Sequence, residues 1–203
     1  MEAIARLDGP QVIPFLLQTV QKEPHWDICE EAVKLLGHKG QPAVDSLVVL
    51  LPDSRPFVRT VAILELGRLK AVKAVPGILL ALRDREQLVR SASLHALSQL
   101  GREDTPDLPK IITAMTAALD DKRKEEPVVR ESALEGLAAL AGKAGAQRQE
   151  IIQALLGIAE GRNPRLAKKA REILDTVYKA TPAEIEKARR ASSLAPNPGD
   201  RRP

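Results

Sequence analysis

Twice in this 203-residue chain an aspartate stands six residues before an arginine, as Asp53 with Arg59 and as Asp84 with Arg90. A carboxylate held near a guanidinium is one of the charged pairs from which catalytic sites are built. Three histidines, in "PHWD" (His25), "GHKG" (His38) and "LHAL" (His95), raise the question of a metal, and the lone Cys29 raises that of a nucleophile. Near the C-terminal end, "GRNPRLAKKAR" crowds Arg162, Arg165, Lys168, Lys169 and Arg171 into ten positions, a pattern suited to phosphates, an acidic protein or an anionic membrane surface.

Spacing removes most of this chemistry. No carboxylate is placed to complete a metal triad with any of the histidines, so no metal is expected. Asp27, Glu30 and Glu31 surround Cys29, and acidic neighbours raise a thiol pKa, the wrong direction for a reactive cysteine. Neither a Gly-rich phosphate loop nor a Gly-x-Ser-x-Gly elbow occurs. The expectation is a chain with no catalytic residues and no cofactor. For the basic cluster, the simpler reading is a solvated end that keeps the protein soluble.

The elements that carry these residues follow from composition and periodicity. Hydrophobic residues make up 44% of the chain but aromatic ones only 2%, so Ala, Leu, Val and Ile must build the core. Ala and Leu are the best apolar helix formers, which favours an all-helical fold in thin layers. A single cysteine allows no intrachain disulfide and fits a cytoplasmic location. No signal-peptide pattern and no apolar run long enough for a transmembrane helix is present. Net charge is +4, carried by the end of the chain: residues 161–203 hold 11 basic and 5 acidic side chains, the preceding 160 hold 20 and 22.

The chain repeats itself. "AVDSLVVLLPD" (43–53) shifted by 31 residues lands on "AVPGILLALRD" (74–84), with apolar residues at i, i+3, i+4 and i+7. A second helix follows each time, with three aligned columns expected to be buried: Ile28, Val58, Val89, Val129 and Leu166; then Ala32, Ala62, Ser93, Ala133 and Ala170; then Leu36, Leu66, Leu97, Leu137 and Leu174. Gly and Pro mark the breaks between helices. This predicts helix pairs at 10–22/26–37, 41–51/55–69, 72–82/86–101, 106–120/126–142 and 146–160/163–179. No pair buries its apolar face alone, so the pairs must stack into one solenoid over residues 1–180. Beyond it, "TPAEIEKARRASSL" predicts a short helix, opened by Thr181, Pro182 and Glu184, and "APNPGDRRP" a disordered tail. "RRAS" is similar to a basophilic kinase site at Ser192.

On the motifs "AVPGILLALRDREQLVRSASLHALSQLG" and "AVDSLVVLLPDSRPFVRTVAILELG" the chain resembles the HEAT-repeat superfamily, in its short, phycobilisome-lyase-type variety. The resemblance implies an all-α, right-handed α-solenoid of about five HEAT-like helix pairs. It also implies a structural role for Asp53, Arg59, Asp84, Arg90 and Arg130, as a ladder of hydrogen bonds that ties turns and neighbouring repeats together. HEAT-like hydroxylases bind iron through paired His-Glu motifs, which are absent here. HEAT-like DNA glycosylases use aromatic residues beside a catalytic Asp in a basic surface, and only Trp26-Asp27 is similar, at the less basic end.

What remains is binding. If the buried columns are structural, function falls to the second-helix columns that face away from the core, which the resemblance places on the concave side. These contain Glu30, Lys34, Thr60, Leu64, Arg68, Ser91, His95, Gln99, Glu131 and Glu135, with Leu64 and neighbouring Ile63 as apolar contact anchors. The leading expectation is a non-catalytic scaffold or adaptor whose partner is another protein. The alternatives are a nucleic-acid-binding protein using the basic end, and a bilin-lyase-like or chaperone-like factor.

Overall fold

The computed structural model describes residues 9, 11–120 and 125–193. Every regular element among them is helical: α1 (Val12–Lys22), α2 (Trp26–His38), α3 (Val44–Val49), α4 (Pro56–Arg68), α5 (Val75–Ala81), α6 (Gln87–Leu100), α7 (Leu108–Leu119), α8 (Pro127–Ala139), α9 (Arg148–Ala159), α10 (Pro164–Glu172) and α11 (Pro182–Ser193). Single 3₁₀ turns precede α3 and α5, and a π-helical turn over Ile173–Val177 extends α10. The five expected helix pairs are present in order, and the fold is an all-α solenoid of repeated pairs.

Local chemistry explains the helix starts. Asp53 Oδ1 accepts the Arg55 N–H at 2.9 Å, and Asp84 Oδ1 accepts the Glu86 N–H at 2.9 Å. Each aspartate thus closes a turn onto the residue that opens the next helix. Pro56, Pro127 and Pro164 occupy the first turns of α4, α8 and α10, where a missing N–H costs nothing. Asn163 caps α10 by accepting from the Arg165 and Leu166 N–H groups. Before α11 a capping box forms: the Glu184 N–H donates to Thr181 Oγ1, and Glu184 Oε2 accepts the Thr181 N–H at 2.8 Å.

Contacts group the chain into two compact units, residues 1–111 and 112–203. In the first, α2, α4 and α6 stack side by side and each first helix packs on its own partner. The small column lies at full burial there, with Ala32, Ala62 and Ser93 at 0%, as do Leu36, Leu66 and Leu97 behind it. Ile28 is the exception: it is half-buried, and Cys29 takes the buried place beside it. Glycine sets the closest approach. A Cβ on Gly67 would stand 2.9 Å from the Cα of Ala96, so α4 and α6 meet backbone to backbone at this point.

Val33, Ile63, Leu94 and Leu134 form a further buried column, one residue beyond the small one. Ile63 is therefore core, not a contact anchor. The interior stripe of each second helix is wider than three columns, because neighbours press on it from both sides.

In the second unit α9 packs against α10 and α11. The only tyrosine, Tyr178, is 2% exposed and donates its hydroxyl to Leu137 O at 2.8 Å. Arg148 donates to Glu184 Oε1 at 2.8 Å and to Tyr178 O at 2.5 Å. The segment expected as a short helix after the repeats is thus docked, with Ala188 buried. Residues 194–203, expected to be disordered, and the Ser192 side chain lie outside what the structure describes. No helix among the described residues is long and apolar enough to cross a membrane.

Candidate functional site

The charged motif resolves into ties between turns and repeats. Arg59 is 8% exposed and binds both oxygens of Asp84, 25 residues away in the following repeat, at 2.6 and 2.7 Å. Its Nη1 donates to the carbonyls of Asp53 and Ser54 in its own turn. Arg90 repeats the second half of this pattern on the carbonyls of Asp84 and Arg85, and Arg130 does so on Leu119 O. The Asp53 carboxylate is held by Arg55 at 2.8 and 2.9 Å instead of by Arg59. Arg55 also reaches Val20 O, Glu23 O and the Cys29 sulfur, so it links the first repeat to the second.

Protonation follows this geometry. The Arg55 side-chain bond holds the Asp53 carboxyl below the ordinary carboxylate range against the cost of burial. Burial pushes Asp84 upward, but Arg59 and the Glu86 N–H more than reverse it, so that pKa is also lowered. These pairs are saturated by one another.

On the second-helix face of the first unit, the sequence columns come together as rows on adjacent helices. Lys34 pairs with Glu30 at 2.6 Å and Arg68 with Glu65 at 2.6 Å, both one helical turn apart. Thr60 donates its hydroxyl to Pro56 O, and Ser91 is half-buried. His95 and Gln99 approach at 3.1 Å, while Gln99 Oε1 is buried against Gly67 without a hydrogen-bond partner. Leu64 is 39% exposed in the middle of these polar rows.

An apolar row at the helix starts escaped the column reading. Phe57, Leu88 and, in the second unit, Val128 occupy the second position of α4, α6 and α8. Each lies three and seven residues before the face columns, hence on the same side of its helix. Leu88 is 65% exposed, and Phe57 is half-buried with the Arg55 guanidinium 5.7 Å from its ring centroid. The signal was available in the alignment of Phe57, Leu88 and Val128. It lies one turn before the outward columns, which begin at Thr60, Ser91 and Glu131.

In the second unit the structure divides the basic cluster. Lys169 pairs with Glu131 at 3.1 Å and with Glu135 at 2.5 Å, and Arg165 pairs with Glu131 at 2.9 Å. The Lys169 bond holds the Glu131 carboxyl below its ordinary value. Arg171 donates to Ala159 O, a turn tie like that of Arg130. Arg162 and Lys168 remain exposed. The cluster therefore meets Glu131 and Glu135, two residues of the expected partner surface, and much of its charge is cancelled there.

The histidines are scattered. His25 is paired with Glu23, His38 is exposed at the end of α2, and His95 faces Gln99. No group of three or more His, Cys, Asp or Glu side chains able to hold a metal occurs among the described residues.

Comparison with known proteins agrees with this architecture. Residues 44–138 match the family model described as HEAT repeats. No curated protein sequence matches the chain. Among solved structures, the chain is similar to the complex of CpcE and CpcF of phycocyanin lyase from Nostoc sp., with 21% identity and a TM-score of 0.66 over 81% of this chain and 99% of that one. A designed armadillo repeat protein aligns at 17% identity and a TM-score of 0.61, covering 93% and 94% of the two chains. Another, in complex with the peptide (KR)4, aligns at 18% identity and a TM-score of 0.54, covering 87% and 89%. Likeness at this identity speaks for the fold. The chain is an α-solenoid whose residues 44–138 are similar to HEAT repeats.

Proposed function

We propose that this protein is a non-catalytic scaffold that binds a partner protein on the second-helix face of α2, α4 and α6. One observation carries the reading. Leu64 and Leu88 stay exposed, 39% and 65%, on adjacent helices, among polar Thr60, Arg68, Ser91, His95 and Gln99 and beside half-buried Phe57. An apolar spot ringed by polar groups is what an interface anchor needs, since the apolar part supplies affinity and the rim excludes water. Glu30, Lys34, Thr60, Arg68, Ser91, His95 and Gln99 form that rim. Glu131 and Glu135 belong to the second unit, where Lys169 and Arg165 pair with them. The same ion pairs weigh against nucleic-acid binding by the basic end. The similar armadillo structure with a bound peptide supports the reading as a fold precedent.

The test places a photoreactive phenylalanine at positions 64, 88 and 91, with controls at Gln18 and Lys110, both exposed on first helices. Crosslinks to one protein should come from the first set. Leu64→Asp and Leu88→Asp should then each weaken that complex by about tenfold or more, with helical content unchanged. Crosslinks confined to the control positions would refute the assignment of this face.

A further inference from the structure

A second surface in the first unit lies on the first helices and their turns, apart from the face just described. A groove of about 730 Å³ runs between α3, α5 and the turns that follow them. Leu51, Leu80 and Ala81 line it together with Gly77. A Cβ on Gly77 would stand 2.7 Å from Leu51 Cδ1, so the glycine is what leaves Leu51 in place along the groove. Leu80 is 71% exposed, more than any other large apolar side chain among the described residues. Burying it would return roughly 2 kcal/mol to whatever covers it, by the fold-change of about thirtyfold that a leucine anchor supplies.

The charge on the rim has one sign. Asp53, Arg59 and Asp84 also line the groove, but Arg55 neutralises the first, and the other two neutralise each other. That leaves Arg83 and Arg85. Arg83 has no ion-pair partner among the described residues, and Arg85 pairs with Glu86 at 3.5 Å, largely in solvent, with a weaker pull on Asp84. Two arginines beside a leucine-lined cleft are complementary to carboxylates on either side of an apolar side chain.

We propose that this groove docks an acidic segment of a partner protein, which lays a leucine-like side chain against Leu51 and Leu80 and sets Asp or Glu carboxylates on Arg83 and Arg85. An apolar lining with no aromatic ring to stack a base fits a peptide better than a nucleic acid. The site needs nothing from the face around Leu64, and either can hold without the other.

Fluorescence anisotropy of a labelled peptide alternating Leu with Glu tests it on the full chain. Binding should weaken as salt rises from about 50 to about 300 mM. It should fall at least about tenfold for the Gln-for-Glu peptide, for Arg83→Ala/Arg85→Ala and for Leu80→Gln, three changes that leave the core untouched. Leu64→Asp should leave it unchanged. Equal binding of the Gln peptide, indifference to the groove variants, tighter binding of a single-stranded oligonucleotide at these arginines, or no binding of the acidic peptide would each overturn the proposal.

Discussion

Arg59→Ala isolates what a repeat-to-repeat tie contributes. The guanidinium makes two short bonds to the Asp84 carboxylate and two to turn carbonyls, and the paired side chains are only 9% and 11% exposed. Removing one member of a buried pair costs about 3–5 kcal/mol, mostly because the other charge is left without its counterion. Asp84 keeps the Glu86 N–H and a small exposed edge, which places Arg59→Ala at the lower end, about 3 kcal/mol. Urea unfolding followed by circular dichroism should show this as a fall in midpoint of about 1.5 M, for a slope near 2 kcal/mol/M that stays unchanged. Arg68→Ala is the control: its own side chain is 50% exposed and its one carboxylate partner, Glu65, lies a turn away on the same helix, so the loss should be smaller, about 1 kcal/mol. A pH series adds a sign. The Asp84 pKa is lowered on folding, so its contribution is present above the ordinary 3.8 and is lost as pH falls below it. The stability gap between the native chain and Asp84→Asn should therefore narrow in acid. An Arg59→Ala cost below about 1 kcal/mol, or one no larger than that of Arg68→Ala, would refute the reasoning.

Three further outcomes follow from packing and from ionisation. Gly67→Ala, although it raises helix propensity, should destabilise by about 1–3 kcal/mol in the same unfolding assay, because its Cβ would lie within 3.0 Å of both Ala96 Cα and Cβ. Native-like or higher stability would show that α4 and α6 do not meet so closely. In the second unit, burial raises the single tyrosine, Tyr178, to about 12, while Arg148 holds Glu184 down at about 2. An ultraviolet titration of tyrosinate should find no ionisation near the usual 10, and stability should decline as pH climbs from there toward 12. At the other end, the docking of α11 should be intact above the ordinary 4.5 of Glu184 and lost as pH falls toward 2, with Glu184→Gln abolishing that acid transition in the Tyr178 near-ultraviolet signal.

The helices of this protein were legible because their signal is local. Apolar residues at helical spacing, Pro at helix starts and Gly or Pro between them place α1 to α10 within a few residues of where they lie. The small column from Ala32 to Ala170 was legible for the same reason, since repetition separates a packing requirement from chance. The candidate face was legible in part. Leu64 stood out as an apolar residue in a polar column, whereas Phe57 and Leu88 lie one turn before the first outward column, at Thr60 and Ser91. Ile63, read as a neighbour of Leu64 on the face, is buried, since one step along a helix turns a side chain through about 100°.

Which side chains meet across repeats is a different kind of fact. Six residues separate Asp53 from Arg59, yet Arg59 takes Asp84 and leaves Asp53 to Arg55. Five basic residues between 162 and 171 read as a patch, but Glu131 and Glu135, more than thirty positions earlier, cancel two of them. Gly67 looks like a weak point in a helix until Ala96 is set against it. The sequence by itself determined the elements, their order and the stripe each must bury, because these depend on interactions within a few turns of chain. The tertiary structure alone decided the partners, and with them which charges are spent and which surfaces stay open. That choice depends on the register in which one helix pair is stacked on the next, and no single repeat encodes it.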